Sequence, residues 1–342
     1  MVLVDWLIKF GWIVFLAAIA ASFCIILALR PLLQRHAIAL PNARSSHKVP
    51  TPQGGGFAVI AATVIVIVGT SALFSGIANH SLWLVLAATL FIAIVGAFDD
   101  VLTIAVLPRL ILQVIAVAIV TAALPEELRL VPSIPYWVER TLTAFALLWF
   151  VNLVNFMDGI DWMTVIEVVP ITAGLVLFGM VGALPREATV VALALGGATV
   201  GFAPFNKPLA RLFLGDVGSL PIGLLLGWLL VVLAGHGHLA AALLLPLYYL
   251  ADATITLLRR LVNGEPVMQA HRSHFYQRAT GSGLRVSQII GRVFMLNITL
   301  VALAAATLLT ASLLVHAAAL LAGCVLVALL LYRFADAKAG AL

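Results

Sequence analysis

The sequence predicts an all-α protein that crosses a membrane about eleven times. Of its 342 residues, 63% are hydrophobic and 10% are charged, and the mean hydropathy is +1.17. A soluble domain is roughly half apolar and a quarter charged, so a soluble fold of this composition would expose too much apolar surface to water. The apolar stretches are continuous runs of Leu, Val, Ile and Ala, whereas the strands of a membrane β-barrel alternate polar and apolar residues.

Each predicted helix is an apolar run long enough to cross a bilayer, which requires about 20 residues. The boundary between the last two helices depends on three polar residues alone, Thr310, Ser312 and His316, so ten spans is the alternative count. Spans of this length leave room for short connections only, and residues 1–342 therefore form one membrane domain. The predicted helices lie at about 8 to 30, 55 to 74, 82 to 98, 109 to 124, 139 to 157, 165 to 183, 188 to 204, 217 to 234, 239 to 258, 289 to 310 and 313 to 332.

The basic residues indicate which helix ends face the cytoplasm. Fifteen of the nineteen Lys and Arg residues fall in one set of alternate loops, and only Lys9, Arg129, Arg140 and Arg186 fall in the other. Cytoplasmic loops are enriched in Lys and Arg, so we expect the N-terminus outside and the C-terminus inside. The same bias explains the net charge of +5 without a nucleic-acid partner. The predicted cytoplasmic loops lie at about 31–54, 99–108, 152–164, 205–216 and 259–288.

Five stretches in these loops are more polar than a connection requires, and the first two precede or follow a helix directly. Residues 41–56 read PNARSSHKVPTPQGGG, and the amides of three glycines at a helix start would favour a phosphate. Asp99 and Asp100 are adjacent at a helix end, where their repulsion raises one pKa. Arg109 and Gln113 follow at i, i+4 spacing on one helix face. The structural alternatives are a loop rich in turn formers and a solvated helix end.

The third stretch, NLVNFMDGIDWM, holds four polar residues at intervals of three. On a helix or its ragged end this spacing forms one polar stripe among Leu, Val, Phe and Met. A membrane helix does not turn such a stripe toward lipid, so the stripe must line a cavity or bind a ligand. Its members are Asn152, Asn155, Asp158 and Asp161.

The last two stretches combine an isolated carboxylate with a basic segment. FNKPLARLFLGDVGSL places Asp216 between glycines just before a span, where a helix cap is the structural alternative. HRSHFYQR, in the longest cytoplasmic loop, would present His271, His274 and Arg278 on one face if helical, with an anion favoured over a metal ion as ligand. Oxygen donors suited to Mg²⁺ and basic groups suited to phosphate therefore share one membrane face, which indicates phosphoryl chemistry at the cytoplasmic boundary.

In this order the five stretches resemble the polyprenyl-phosphate N-acetylhexosamine-1-phosphate transferases of glycosyl transferase family 4, over about residues 41–278. The resemblance implies a multi-pass enzyme of the bacterial inner membrane, with a periplasmic N-terminus and a cytoplasmic C-terminus. It implies transfer of a sugar 1-phosphate from a UDP-N-acetylhexosamine to undecaprenyl phosphate, held in membrane lipid, with release of UMP. The O-antigen-initiating branch is the most similar, because Trp162 stands where Gly is common and HRSHFYQR replaces a tighter histidine cluster.

The resemblance also implies a role for each matched residue. Asn155 and Asp216 are expected to bind Mg²⁺, for which Mn²⁺ is the substitute, and Asp158 to act on the substrate as a catalytic residue. Asp99 and Asp100 resemble the catalytic pair that handles the lipid phosphate, and which of them is the base stays open. N-acetylglucosamine, N-acetylfucosamine and N-acetylquinovosamine all stay open as the sugar, as does a homodimer. The other expected substrate-binding residues are His47, Lys48, Arg109, Asn152, Asp161, His271, His274 and Arg278.

The competing interpretation is a transporter or lipid flippase, because intramembrane polar residues also form transport sites. A transporter places such residues near mid-bilayer and often in repeated halves, whereas here they cluster at one face of a sequence without an internal repeat. A membrane scaffold would not need five polar stretches. The expected reaction exchanges one phosphoanhydride for another, so it needs no energy source, and the sequence has no P-loop.

Overall fold

Helices make up nearly all of the structure, a computed structural model that describes residues 2–39, 50–266 and 271–336. A short antiparallel pair, β1 (Ile38–Ala39) with β2 (Thr51–Pro52), follows the first membrane segment. That segment comprises α1 (Val2–Trp6), a π-helical stretch (Leu7–Gly11) and α2 (Trp12–His36). The remaining helices are α3 (Gly55–Leu73), α4 (His80–Leu102), α5 (Val106–Ala123), α6 (Tyr136–Met157), α7 (Met163–Met180), α8 (Arg186–Asn206), α9 (Asp216–Gly235), α10 (Leu239–Leu244), α11 (Leu247–Val262), α12 (Phe275–Gly281), α13 (Val286–Ala306), a 3-10 turn (Thr307–Leu309) and α14 (Leu313–Ala335).

Ten helices of the described residues are long and apolar enough to cross a membrane, so the chain is a multi-pass membrane protein as predicted. The predicted helix at about 239 to 258 is not one of the ten, because it is divided into α10 and α11. The division falls at Leu245 and Pro246. Proline lacks an N–H and clashes with the preceding turn, which accounts for the break.

The divided segment still joins the two ends of the bundle. His238, just before α10, contacts the ring of Phe178 near the last turn of α7. Tyr276, beyond α11, donates a hydrogen bond to the carbonyl of Phe156 in the last turn of α6, at the opposite end. The part of the chain that the structure describes therefore crosses the bundle eleven times, ten times by an uninterrupted helix and once by α10 and α11 together.

Helix α9 lies at the centre of the bundle, with nearly all its side chains buried against α3, α4, α6 and α8. Two neighbouring helices approach the first turn of α9 very closely, because each has a glycine at the point of contact. A Cβ atom on Gly56 of α3 would lie 2.2 Å from the Cα of Gly218, and one on Gly96 of α4 would lie 2.2 Å from the carbonyl oxygen of Asp216. Small residues of this kind let membrane helices touch backbone to backbone. The start of α9 is therefore held from two sides.

The charge distribution predicts which end of the bundle faces the cytoplasm. Lys207, at the end where α4 and α6 finish and α9 begins, and Glu127, in the loop between α5 and α6 at the other end, are both exposed. In a background in which Cys24 and Cys324 are serine, the Lys207→Cys variant should resist a membrane-impermeant maleimide in intact cells and react after lysis. The Glu127→Cys variant should react in intact cells. The reverse pattern would invert the predicted topology.

Candidate active site

Four polar residues from α4, α5, α6 and α9 meet where α9 begins, at what we call the site end of the bundle. The amide nitrogen of Asn155 donates hydrogen bonds to Asp216 Oδ1 (2.7 Å) and to Ser219 Oγ (2.9 Å). Arg109 binds Asp99 Oδ2 at 2.6 Å and lies 3.6 Å from Asp216 Oδ2. Residues from three of the predicted stretches, together with Arg109, thus form one network of alternating charges and amides.

The two adjacent aspartates have separate partners. Asp99 accepts the Arg109 hydrogen bond and one from the amide of Ile104 (2.6 Å). Asp100 accepts from the amides of Asp216 (2.9 Å) and Val217 (3.1 Å), the first two residues of α9. A carboxylate at a helix N-terminus satisfies free N–H groups and complements the helix dipole. Asp100 is therefore an N-terminal cap supplied by another helix, a role that the sequence did not predict for it.

The residue before α9 explains how this cap is accommodated. Gly215 is the N-cap residue and has φ +78°, in the left-handed region that glycine favours. A Cβ atom there would lie 2.5 Å from Asp100 Oδ2. The alternative that Asp216 caps its own helix is not what the structure shows, because Gly215 is the N-cap residue and the Asp216 side chain accepts a hydrogen bond from Asn155 instead.

The glycines at the start of α3 do not offer free amides to a phosphate. The Gly55 amide donates to the carbonyl of Phe213 (2.9 Å) and the Gly56 amide to that of Leu214 (2.8 Å). That expectation was wrong for these two residues, because the loop before α9 already occupies their amides. His47 and Lys48, which belong to the same stretch, lie outside the described residues.

The polar stripe of α6 divides between structural and site positions. Asn152 is 9% exposed and donates to Gln113 Oε1 (2.7 Å) on α5 and to the carbonyl of Leu148 (2.9 Å). Asn152 therefore links α6 to α5. Both of its side-chain N–H groups are used in these contacts, so neither is left for a substrate. Asn155, one turn further along, is the member of the stripe that reaches the network.

Asp158, the residue after α6, lies beside the network. It accepts a hydrogen bond from the hydroxyl of Thr164. Burial raises the pKa of the Asp158 carboxyl to about 6, and the charges of Asp100 and Asp161 add to the rise while the Thr164 bond opposes it. Most of this carboxyl is ionised at pH 7, so it contributes negative charge to the site.

Asp161 and Trp162 fix the two loops that flank the site. Asp161 accepts hydrogen bonds from the amides of Leu209 (2.9 Å) and Ala210 (3.1 Å), which positions the loop before α9. Trp162 has φ +65°, a strained conformation for a bulky residue. It donates its amide to Asn206 (2.8 Å) and its indole N–H to the carbonyl of Ala203 (2.7 Å). Glycine adopts this positive φ without strain, which explains why glycine is expected at the position of Trp162.

The histidine segment lies against the C-terminal end of α6. His274 is buried and stacks on His271, with ring centroids 5.0 Å apart. The helix α12 begins only at Phe275, so both histidines precede it and the predicted common helical face is not formed. Burial lowers the pKa of His271 to about 4, helped by the charges of His274 and Arg260. The guanidinium of Arg278 lies 5.8 Å from the ring centroid of Phe275.

Asp252 on α11 anchors this segment, and the sequence analysis missed it. Its side chain is fully buried and accepts hydrogen bonds from the amides of Phe275 (3.0 Å) and Tyr276 (3.3 Å) and from the hydroxyl of Tyr248 (3.2 Å). The ring of His274 lies 3.3 Å from Asp252 Oδ1. The signal was present, because an isolated aspartate within an apolar run is rarely without function.

The donor set at Asn155 and Asp216 suits one mode of divalent-cation binding. Among the described residues, no three His, Cys, Asp or Glu side chains are arranged to hold a metal ion. Mg²⁺, however, is usually bound by one or two carboxylates together with water and substrate phosphates rather than by a protein cage. The side chain of Asp216 is 26% exposed, compared with 7% for Asp99, so Asp216 is the more accessible of these two carboxylates. The residues present therefore fit Mg²⁺ bound jointly with a phosphate.

Fold and site together define a multi-pass membrane protein with a carboxylate-rich site at one end of its helices. The sequence profile of glycosyl transferase family 4 matches residues 82–234, which include Asp99, Asn155 and Asp216. The chain is also 26% identical to the "Probable undecaprenyl-phosphate N-acetylglucosaminyl 1-phosphate transferase" of Bacillus subtilis (strain 168), over 316 residues that cover 82% of this chain and 83% of that protein. Both matches support the resemblance to glycosyl transferase family 4 that the motifs predicted.

The contacts of Asp252 predict that one substitution loosens the whole histidine segment. Asp252→Asn keeps the size of the side chain but removes its charge and replaces one acceptor oxygen with a donor. Hydrogen exchange at residues 271–281 should accelerate by about tenfold, because hydrogen bonds to charged groups contribute roughly 1.5–3 kcal/mol. Glu127→Gln, an exposed acidic residue at the opposite end of the bundle, is the control and should leave exchange there unchanged. Equal protection in both variants would contradict the anchoring role.

Proposed function

We propose that this protein transfers an N-acetylhexosamine 1-phosphate from a UDP-N-acetylhexosamine to undecaprenyl phosphate, releasing UMP and leaving a lipid-linked pyrophosphoryl sugar. The observation that carries the proposal is the network of Asn155, Asp216, Arg109 and Asp99 at one end of a membrane bundle. The name of the Bacillus subtilis relative supports the same lipid acceptor and the same kind of transfer. In a bacterial inner membrane with this site at the cytoplasmic face, the product would initiate O-antigen or another cell-envelope polysaccharide.

Charge neutralisation is the main task of such a site, because both reactants are anions that repel each other before in-line attack. Asn155 and Asp216 would hold Mg²⁺, which would offset the charge of the donor diphosphate and orient it. Arg109 is placed for the same purpose. Its side chain is 22% exposed, so the guanidinium is partly accessible to a phosphate oxygen.

The two adjacent aspartates would act on the protein rather than on the acceptor. Asp99 binds Arg109 and aims its guanidinium toward Asp216, and Asp100 holds the first turn of α9. A phosphate monoester has a second pKa near 6, so the acceptor is largely dianionic at neutral pH and can attack without a base. Neither aspartate is then required to remove a proton.

A lipid flippase is the alternative that the polar residues alone would allow. The network lies at one end of the bundle, where α4 and α6 finish and α9 begins, and not at its middle. A transport site belongs near the bilayer midplane, so that both faces can reach it. The position of the network therefore favours transfer at one membrane face.

The fate of the donor phosphates distinguishes sugar-phosphate transfer from simple sugar transfer. In the proposed reaction the acceptor phosphate attacks the β-phosphorus, the bond between the two donor phosphates breaks, and UMP leaves. Purified protein given undecaprenyl phosphate, Mg²⁺ and a UDP-N-acetylhexosamine with a labelled β-phosphate should deliver the label to lipid. Because the bonds exchanged are alike, added UMP should drive the reaction backward. Label recovered in UDP, with none in lipid, would exclude this mechanism even if the sugar reached the lipid.

Asp216→Asn tests whether the carboxylate charge is needed. The variant keeps an oxygen that can accept the Asn155 hydrogen bond, so the network geometry should survive while cation binding weakens. Turnover at ordinary Mg²⁺ should fall by about a hundredfold or more, and higher Mg²⁺ should recover part of it. Asp336→Asn, an exposed aspartate at the same end of the bundle, is the matched control. Activity near that of the control would reject the role of Asp216 as a ligand.

A further inference from the structure

A groove between α13 and α14 lies apart from the network described above. It has a volume of about 620 Å³ and opens on the outer surface of the bundle. Two arginines, Arg292 of α13 and Arg333 of α14, line it near the site end, where α13 begins and α14 ends. Beyond them the lining is mostly apolar and includes Met295, Leu296 and Leu329.

The two arginines supply positive charge that the protein does not neutralise. Among the described residues, neither Arg292 nor Arg333 makes a hydrogen bond, an ion pair or a ring contact, and neither Asp nor Glu lines the groove. Both side chains are exposed. Long basic side chains near helix ends extend toward the membrane interface, where lipid phosphates lie. Two unpaired cations at that depth complement one phosphodiester anion.

The shape of the groove complements the rest of such a molecule. Gly291, one residue before Arg292, lines it, and a Cβ atom there would meet no atom within 4 Å. Glycine inside a helix is less favourable than alanine, yet no packing contact requires it here. From Arg292 the lining continues through Thr299, seven residues or about 10 Å along the helix. A charged headgroup site thus continues into an apolar channel, which matches a lipid with one acyl chain inserted.

We propose that this groove binds an anionic phospholipid, with its phosphate between Arg292 and Arg333 and an acyl chain along Met295, Leu296 and Leu329. The charge of the two arginines, and not the apolar channel alone, gives the site its selectivity. Zwitterionic lipids of the same chain length, whose phosphate is already accompanied by a cation, would occupy it weakly. This site does not depend on the proposed transferase reaction.

The test counts lipids bound to the delipidated full-length protein by native mass spectrometry in detergent. Dioleoylphosphatidylglycerol should bind at least about tenfold more tightly than dioleoylphosphatidylcholine. Each arginine contributes roughly 1 kcal/mol to binding of an anionic lipid. The double variant Arg292→Gln, Arg333→Gln should therefore weaken the binding of dioleoylphosphatidylglycerol by about thirtyfold. The control Arg30→Gln, Arg35→Gln removes two cations from α2 at the same end of the bundle and should change binding by less than about twofold.

Further arms separate the alternatives. Gly291→Trp keeps both arginines but fills the open space of the groove, so it should also abolish selective lipid binding. This variant tests the proposal if the arginine variants fail to fold. Inorganic phosphate should not compete at millimolar concentration, because the acyl chain contributes to binding. The proposal would be overturned if the protein bound the two lipids with equal affinity, or if the control variant lost as much lipid binding as the arginine variant. It would also be overturned if the groove variants dissociated a dimer without any change in lipid binding.

Discussion

The site depends first on the contact between the Asp100 carboxylate and the amino end of α9. Helix α9 is the central helix, and its first residue, Asp216, is the carboxylate on which the network converges. A charged cap at a buried helix end is favourable by up to about 2 kcal/mol, and here it also fixes the direction of the first turn. Because Asp99 is the adjacent residue on α4, its side chain cannot face the same amides, and it turns to Arg109 instead. One capping contact thus sets the positions of three charged groups.

Carboxylates also hold the loops of this protein in place by accepting hydrogen bonds from backbone N–H groups. Asp161 holds the backbone before α9, and Asp252 holds the backbone that begins α12. Irregular backbone near hydrocarbon has little water to satisfy its N–H groups, and an unpaired group there is costly. A carboxylate that accepts hydrogen bonds from two amides solves this problem with one side chain. Asp99, Asp100, Asp161 and Asp252 therefore each hold groups of the protein itself, and Asp216 is more accessible than Asp99.

The sequence predicted the helices well because length and apolarity decide whether a segment crosses a membrane. It could not predict that Pro246 divides one crossing, since proline is tolerated inside other helices of this chain, such as α7 and α9. It also could not assign the amides of Gly55 and Gly56, because their acceptors lie about 158 residues further along the chain. Asp252 was not predicted because it lies within an apolar run, whereas the polar stretches of the sequence lie in the loops. Polar residue types predicted where the site is, whereas tertiary contacts decide which oxygen remains accessible.

The charges at the site end constrain the order in which ligands bind in the proposed reaction. Among the described residues, Asp99, Asp100, Asp158 and Asp216 lie at or beside the network, and the Arg109 guanidinium is 2.6 Å from Asp99 and 3.6 Å from Asp216. An anionic diphosphate arriving alone would meet an excess of negative charge and would be repelled. A divalent cation arriving alone would find the carboxylate of Asp216 and the side-chain amide of Asn155, which are too few ligands for tight binding. Each ligand supplies what the other lacks, so the donor and the cation should enter as one complex, which the protein orients between Asp216 and the guanidinium of Arg109.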